Sequence, residues 1–183
     1  EVVVHYDPDR GDARLALRDS TSREFIVGRV PAPATRIIWL DRPPIDARTR
    51  RALTRAFDDA MLYDDAVRAV LLTGQPGIFT SGNDIEDFVQ RPANLQEAPS
   101  FAFMKALMAC DKPVVAAVTG AAIGIGTTLL LHCDFVYVSD EARLAMPFVS
   151  LGLVPEFASS LIVPRLMGNA RAAEKLLLGD PFT

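Results

Sequence analysis

Two apolar runs, Val67 to Leu72 and Val114 to Val118, read as buried strands, and each leads through small residues into a helical pattern. The first connection is Phe79-Thr80-Ser81-Gly82-Asn83-Asp84; the second is Gly120-Ala121-Ala122-Ile123-Gly124-Ile125-Gly126. A strand that turns through small residues into a helix start leaves backbone N–H groups without an intrahelical acceptor. One such turn holds an anion. Two that face each other can clamp a carbonyl oxygen as it becomes negative, an oxyanion hole made of main chain.

The rest of the pattern suits that arrangement. Strand-like runs occur at Val2–Tyr6, Ala13–Leu17, Phe25–Val30 and Arg36–Leu40. Arg48 to Leu62 reads as a helix with Leu53, Phe57, Ala60 and Met61 on one face. A short helix follows near Asp84–Gln90, and Arg91 to Ser100 reads as a loop. Phe101–Ala109 and Gly126–His132 read as helices, Phe135–Ser139 as a strand, and Ser159–Leu178 as two helices broken near Gly168-Asn169. Strand and helix alternating without long spacers means an α/β fold with largely parallel pairing. At 183 residues, with no linker or low-complexity tract, the chain suits one domain, 1–183.

Composition narrows the function classes. A net charge of −4 argues against non-specific nucleic-acid binding. No uninterrupted apolar run approaches a bilayer span, and the acidic first residues carry no signal-peptide pattern. Two cysteines rule out a disulfide framework or a Cys-rich metal site, so a cytoplasmic, reducing setting is expected.

The two Gly turns, taken with Pro147 to Ser160, resemble the crotonase (enoyl-CoA hydratase/isomerase) superfamily. Arg42-Pro43, Val67 to Gly74 and Cys133-Asp134 share the likeness, which runs from about Arg36 to the last residue; residues 1–35 match weakly. The resemblance implies a spiral of ββα units, an acyl-CoA thioester as substrate, and an oxyanion hole from the N–H groups of Ser81 and Ile125. It also implies self-association, as a trimer or hexamer. No metal or redox cofactor is implied, because coenzyme A arrives with the substrate. The family's further C-terminal helices, which cover the CoA, are missing from this chain.

Deprotonating carbon 2 of an acyl thioester needs a nearby base as well as those donors. The base candidate is Glu156, in Gly152-Leu153-Val154-Pro155-Glu156-Phe157, where apolar neighbours would raise its pKa toward neutrality. On its own a Glu here would more often cap the following helix; the two upstream turns favour the catalytic role. Typical hydratases of the family orient water with two glutamates, and the corresponding positions here are Thr128 and Phe148. A single carboxylate can instead carry a proton from carbon 2 to carbon 4, which moves a double bond without adding water. The Ser81-Gly82-Asn83-Asp84 turn and the Pro155-Glu156 pair with Ala158-Ser159-Ser160 also resemble the single-Glu Δ3,Δ2-enoyl-CoA isomerase branch. Hydration is the weaker reading within the family, and a non-catalytic acyl-CoA binder is a further alternative.

Substrate contacts are expected from Arg42, Gly82, Asp84, Ile85, Gly124 and Phe148, with Phe88, Phe101, Phe103, Phe148 and Phe157 along the acyl tunnel. Other residues read more plainly. Asn83 and Asp84 suit capping of the next helix, and Asp134 suits a turn. Cys110 and Cys133 suit small buried hydrophobes, and His132, near a helix end, suits a capping or surface residue more than a base. Arg48, Arg50, Arg51 and Arg55 could meet CoA phosphates with Arg42, but such runs are usually solvated helix faces. Thr119-Gly120-x-x-x-Gly124-Ile125-Gly126 also spells a dinucleotide-binding turn. That rival lacks the Tyr-x-x-x-Lys pair of short-chain dehydrogenases, since Glu141 stands four residues after Tyr137.

Overall fold

The structure is a computed structural model and describes residues 2–7, 12–18, 24–30, 35–40, 44–63, 65–86 and 98–183. The chain opens with an antiparallel sheet of β1 (Val2–Asp7), β2 (Asp12–Arg18) and β3 (Glu24–Val30). From β4 (Thr35–Leu40) onward all named pairings are parallel. After β4 come the short β5 (Pro44–Ile45) and helix α1 (Ala47–Asp58), then β6 (Ala69–Gly74), β7 (Ile78–Thr80) and β8 (Gly82–Asn83). Helix α2 (Pro99–Ala109) leads to β9 (Val114–Val118), β10 (Ala121–Ile123) and α3 (Ile125–Thr128), which runs on as a 3-10 turn over Leu129–His132. β11 (Phe135–Val138) and β12 (Arg143–Ala145) follow, then α4 (Ser159–Met167) and α5 (Asn169–Ala173).

A long strand followed by a short one recurs three times, and the two kinds build separate sheets. The long strands line up as β11-β9-β6-β4 and the short ones as β12-β10-β7. Each repeat thus steps from one sheet to the next and back, a spiral of ββα units. The short strands revise the sequence reading, in which Gly120 to Gly126 was a single turn from strand to helix. A strand of three residues is too brief for alternation to reveal it, so Ala121–Ile123 passed for part of the turn.

Local signals explain the helices. Asp46 caps α1 by accepting from the Thr49 N–H at 2.6 Å. Pro99 opens α2, so that helix takes in the last two residues of the stretch assigned to a loop. The buried stripe of α1 is Arg50, Leu53 and Phe57. Phe57 meets Phe103 of α2 at 6.3 Å between ring centroids, above a sheet core that includes Val70, Leu72, Val114 and Ala116. Asp134 is the turn residue expected: its carboxylate accepts from the Val114 N–H, and its own N–H donates to the Val114 carbonyl, both at 2.8 Å. The last helices break where expected, between Met167 and Asn169, and close a smaller core of Met146, Phe148, Val163, Ala172 and Leu176.

One hydroxyl ties the short-strand sheet to the helix that follows it. Thr127, buried in α3, donates to the Ala122 carbonyl of β10 at 2.5 Å and accepts from the Ala145 N–H of β12 at 3.1 Å. Thr127→Val keeps the shape and leaves both backbone groups buried without that partner. Chemical denaturation should show a loss of about 1–3 kcal/mol; an unchanged midpoint would mean that the hydroxyl contributes nothing net.

Candidate active site

The first turn is pinned from two sides. Gly82 and Asn83 pair with Pro44 and Ile45, and the Asp84 N–H donates to the Ile45 carbonyl at 3.2 Å. Beneath it lies Arg50, only 5% exposed, whose Nη1 donates to the Ile45 carbonyl at 2.7 Å and to Asn83 Oδ1 at 3.0 Å. On the other side the turn meets the second Gly segment. Gly82 has φ +94°, and a Cβ there would lie 2.8 Å from the Ile123 carbonyl oxygen. A Cβ on Gly126 would lie 2.4 Å from Thr80 Cγ2. Both contacts need glycine, and together they place Ser81 and the start of α3 side by side.

Ile125 is the first residue of α3, which has no side-chain cap. The Thr127 and Thr128 N–H groups donate to the Gly124 carbonyl at 3.0 Å, while the N–H groups ahead of them, that of Ile125 included, have no carbonyl further back in the helix and suit an anionic oxygen. Gly124 has φ +58° and donates its N–H to the Ala145 carbonyl at 2.9 Å, which anchors the turn to β12.

The third wall carries Glu156. Ser159 holds its carbonyl twice, from the backbone N–H at 3.0 Å and from Oγ at 2.6 Å. Phe157 and Ala158 then adopt φ values of 54° and 55°, left-handed backbone in residues other than glycine. Such backbone costs on the order of 1 kcal/mol or more per residue and persists only where its surroundings impose it. Burial pushes the Glu156 carboxyl up from 4.5 to about 7, against the opposing pull of the Arg50 charge. Its Oε1 is buried and has no hydrogen-bond partner among the described residues.

A cavity of about 860 Å3 joins these three walls. Of the site residues expected from sequence, Ser81, Gly82, Asp84, Ile85, Gly124, Ile125, Phe148 and Glu156 all line it. Arg42 and Phe88 lie outside the described residues. The tunnel expectation needs correction for three phenylalanines that are not on the cavity wall. Phe103 and Phe157 are packed in the core, and Phe101 is 40% exposed on α2. The apolar wall comes instead from Ile123, Pro147, Leu151 and Leu153 beside Ile85 and Phe148. Asp84 lines the cavity, but its carboxylate accepts from the Glu86 N–H at 2.9 Å, the capping role expected. Thr128 is fully buried and off the cavity wall.

Two more expectations change. Arg48, Arg51 and Arg55 are exposed as a solvated face should be, whereas Arg50 is buried under the first turn. It shares the i, i+3, i+7 stripe with Leu53 and Phe57, and that spacing could have revealed it. His132 is neither a cap nor a surface residue: it is half-buried, and its Nε2 lies 2.8 Å from the Phe157 carbonyl. Cys110 and Cys133 pack against the core as expected, and burial raises the Cys133 thiol to about 12. Among the described residues no group of three or more His, Cys, Asp or Glu side chains could hold a metal ion. No described helix is long and apolar enough to cross a membrane.

The raised Glu156 carboxyl has a consequence for stability. Below about pH 4.5 the group is protonated whether the chain is folded or unfolded, and it costs nothing. As pH rises from 4.5 to 7 the unfolded chain loses this proton first, so folding stability falls, by on the order of 3 kcal/mol above pH 7. Glu156→Gln should remove that dependence and raise stability at pH 8 in denaturation experiments. A variant less stable at pH 8 would contradict the burial argument. Arg50→Met, by removing the opposing charge, should move the Glu156 titration measured by carboxyl-selective NMR to higher pH.

Residues 34–183 match the Enoyl-CoA hydratase/isomerase family. Enoyl-CoA delta isomerase 2 of Rattus norvegicus is 40% identical over 126 residues, covering 66% of this chain and 32% of the rat protein. Enoyl-CoA hydratase ACTT3 of Alternaria alternata is 33% identical over 123 residues, covering 66% of this chain and 42% of the fungal protein. The chain thus corresponds to about a third of one relative and under half of the other. Among solved structures, OdaA of Pseudomonas aeruginosa superposes with a TM-score of 0.79 at 49% identity, over 84% of this chain and 64% of that one. The dinucleotide-binding reading of the Gly120–Gly126 turn falls with these matches. The chain belongs to the enoyl-CoA hydratase/isomerase family, the crotonase superfamily.

Proposed function

We propose that the protein binds an acyl-CoA thioester and shifts a carbon–carbon double bond from the Δ3 to the Δ2 position, with Glu156 as the single proton carrier. The observation that carries this reading is the wall of the cavity. Among the described residues it presents two carboxyl groups, and Asp84 already serves as a cap while Glu156 Oε1 has no described partner. Where hydratases of the family set their two glutamates this chain has the buried Thr128 and the apolar Phe148, so nothing there orients a water molecule.

The chemistry follows from those groups. The ionised Glu156 takes a proton from carbon 2 of a 3-enoyl thioester, and the electron pair spreads onto the thioester oxygen on one side and through the double bond to carbon 4 on the other. The N–H groups of Ser81 and Ile125 hold that oxygen, each contributing on the order of 3 kcal/mol in the transition state. Glu156 then returns the proton to carbon 4, and the product is the conjugated 2-enoyl thioester. A carboxyl near pH 7 suits both steps, since it is ionised often enough to accept and acidic enough to give back. The cavity of about 860 Å3 has room for an acyl chain of several carbons against Ile85, Leu151 and Leu153. Arg42 remains a proposed CoA contact.

Two further assignments belong to this reading. Leu161, Leu166, Leu177 and Leu178 leave the last helices with exposed apolar side chains, which suits a homo-oligomer, a trimer or a hexamer. Both cysteines are free, which suits a reducing compartment such as the cytoplasm.

The test is a panel of 2-enoyl-, 3-enoyl- and saturated acyl-CoAs read by the absorbance of the conjugated thioester. The 3-enoyl substrates should gain conjugation, with kcat/KM rising as pH increases through about 7 because the base must be ionised. Glu156→Gln should lose turnover by about 1,000-fold or more while binding acyl-CoA nearly as well. Gly82→Ala should lower kcat about 100-fold or more by displacing the Ser81 amide. Water addition to 2-enoyl-CoA without double-bond migration would establish hydration instead. Binding with no turnover across chain lengths would establish a binder.

A further inference from the structure

We propose that His132 is a positioning residue for Glu156, holding the loop that carries the carboxyl in register with the Ile125 amide. The inference rests on the isomerase reading above and adds a residue to it. His132 ends the continuous helical segment that Ile125 begins, through α3 and the 3-10 turn Leu129–His132. From that end its ring stacks on Phe157, with centroids 3.9 Å apart and planes 22° apart. A carbonyl only accepts, so His132 Nε2 carries the hydrogen of the 2.8 Å bond to the Phe157 oxygen.

The bond falls where the loop needs support. Phe157 and Ala158 are the described non-glycine residues with positive φ, and they follow Glu156 directly. Ser159 holds the loop from the helix that follows, and Phe103 packs edge-on against Phe157 at 6.4 Å. Neither contact ties the loop to the donor side of the cavity. His132 does, because the segment that sets the Ile125 N–H also sets the imidazole. A displacement of about 1 Å between base and oxyanion donors costs on the order of 100-fold in rate while leaving the donors able to bind.

The test uses three variants of the whole protein with a 3-enoyl-CoA, with Glu156→Gln measured alongside. His132→Ala removes ring and donor, His132→Phe keeps the ring without the donor, and His132→Gln restores a donor without the stack. His132→Ala and His132→Phe should lose kcat about 30- to 100-fold, with KM and the affinity for a saturated acyl-CoA within about threefold. His132→Gln should recover kcat to within about fivefold of the unsubstituted protein. The proposal is overturned if the Ala and Phe variants keep kcat within threefold, if KM rises while kcat holds, or if the Gln variant is as slow as the Phe variant. Should His132→Ala fail to fold, the Phe and Gln variants decide the matter. If Glu156→Gln retains turnover, the isomerase reading itself fails. If it is inactive while the His132 variants are unaffected, only the role of His132 does.

Discussion

The close approach of two backbone segments is the constraint on which the site depends. Gly82 lies against the Ile123 carbonyl and Gly126 against Thr80, both at distances that no side chain tolerates. Those contacts put a turn after β7 beside a helix start after β10, though 40 or so residues of chain separate them. The parallel pairing of β7 with β10 brings the segments together, and glycine lets them touch. Everything else around the cavity supports that junction. Arg50 and β5 hold one side, and Thr127 and the Ala145 carbonyl hold the other.

The carboxyl on the third wall comes at a cost to the fold. Glu156 sits where its charged form is poorly solvated, ahead of two residues in unfavourable backbone, and a more stable protein would have neither. Buried Arg50 moderates the first cost, and the ring packing of Phe57, Phe103 and Phe157 offsets the second. Stability given up at a site in exchange for a carboxyl poised near neutrality is the ordinary trade between function and folding. The cavity wall is otherwise apolar along Ile85, Leu151 and Leu153, which keeps the local dielectric low and makes each fixed dipole count for more.

Much of this was legible in the residues themselves. The long strands and both broken C-terminal helices announced themselves through apolar runs and Gly-Asn punctuation, and the family likeness placed Ser81, Ile125 and Glu156 on one cavity. What stayed hidden had physical reasons. Strands of two or three residues, such as Gly82–Asn83 and Ala121–Ile123, carry no readable period. Arg50 was hidden by its charge, since a guanidinium in a basic run is usually solvated, although its helical spacing matched Leu53 and Phe57. Which phenylalanines faced the cavity depended on tertiary packing, so Phe103 and Phe157 entered the core while Leu151 and Leu153 took the wall. The role of His132 needed the backbone angles of Phe157 and Ala158, which no sequence pattern discloses.

The most direct measurement is a crystal structure of the protein with a non-reactive acyl-CoA thioester bound. The thioester oxygen is expected within hydrogen-bonding distance of the Ser81 and Ile125 nitrogens together, with carbons 2 and 4 both within reach of one Glu156 oxygen. A thioester bound elsewhere, an oxygen held by only one of those amides, or a Glu156 carboxyl turned away from the acyl chain would contradict the arrangement.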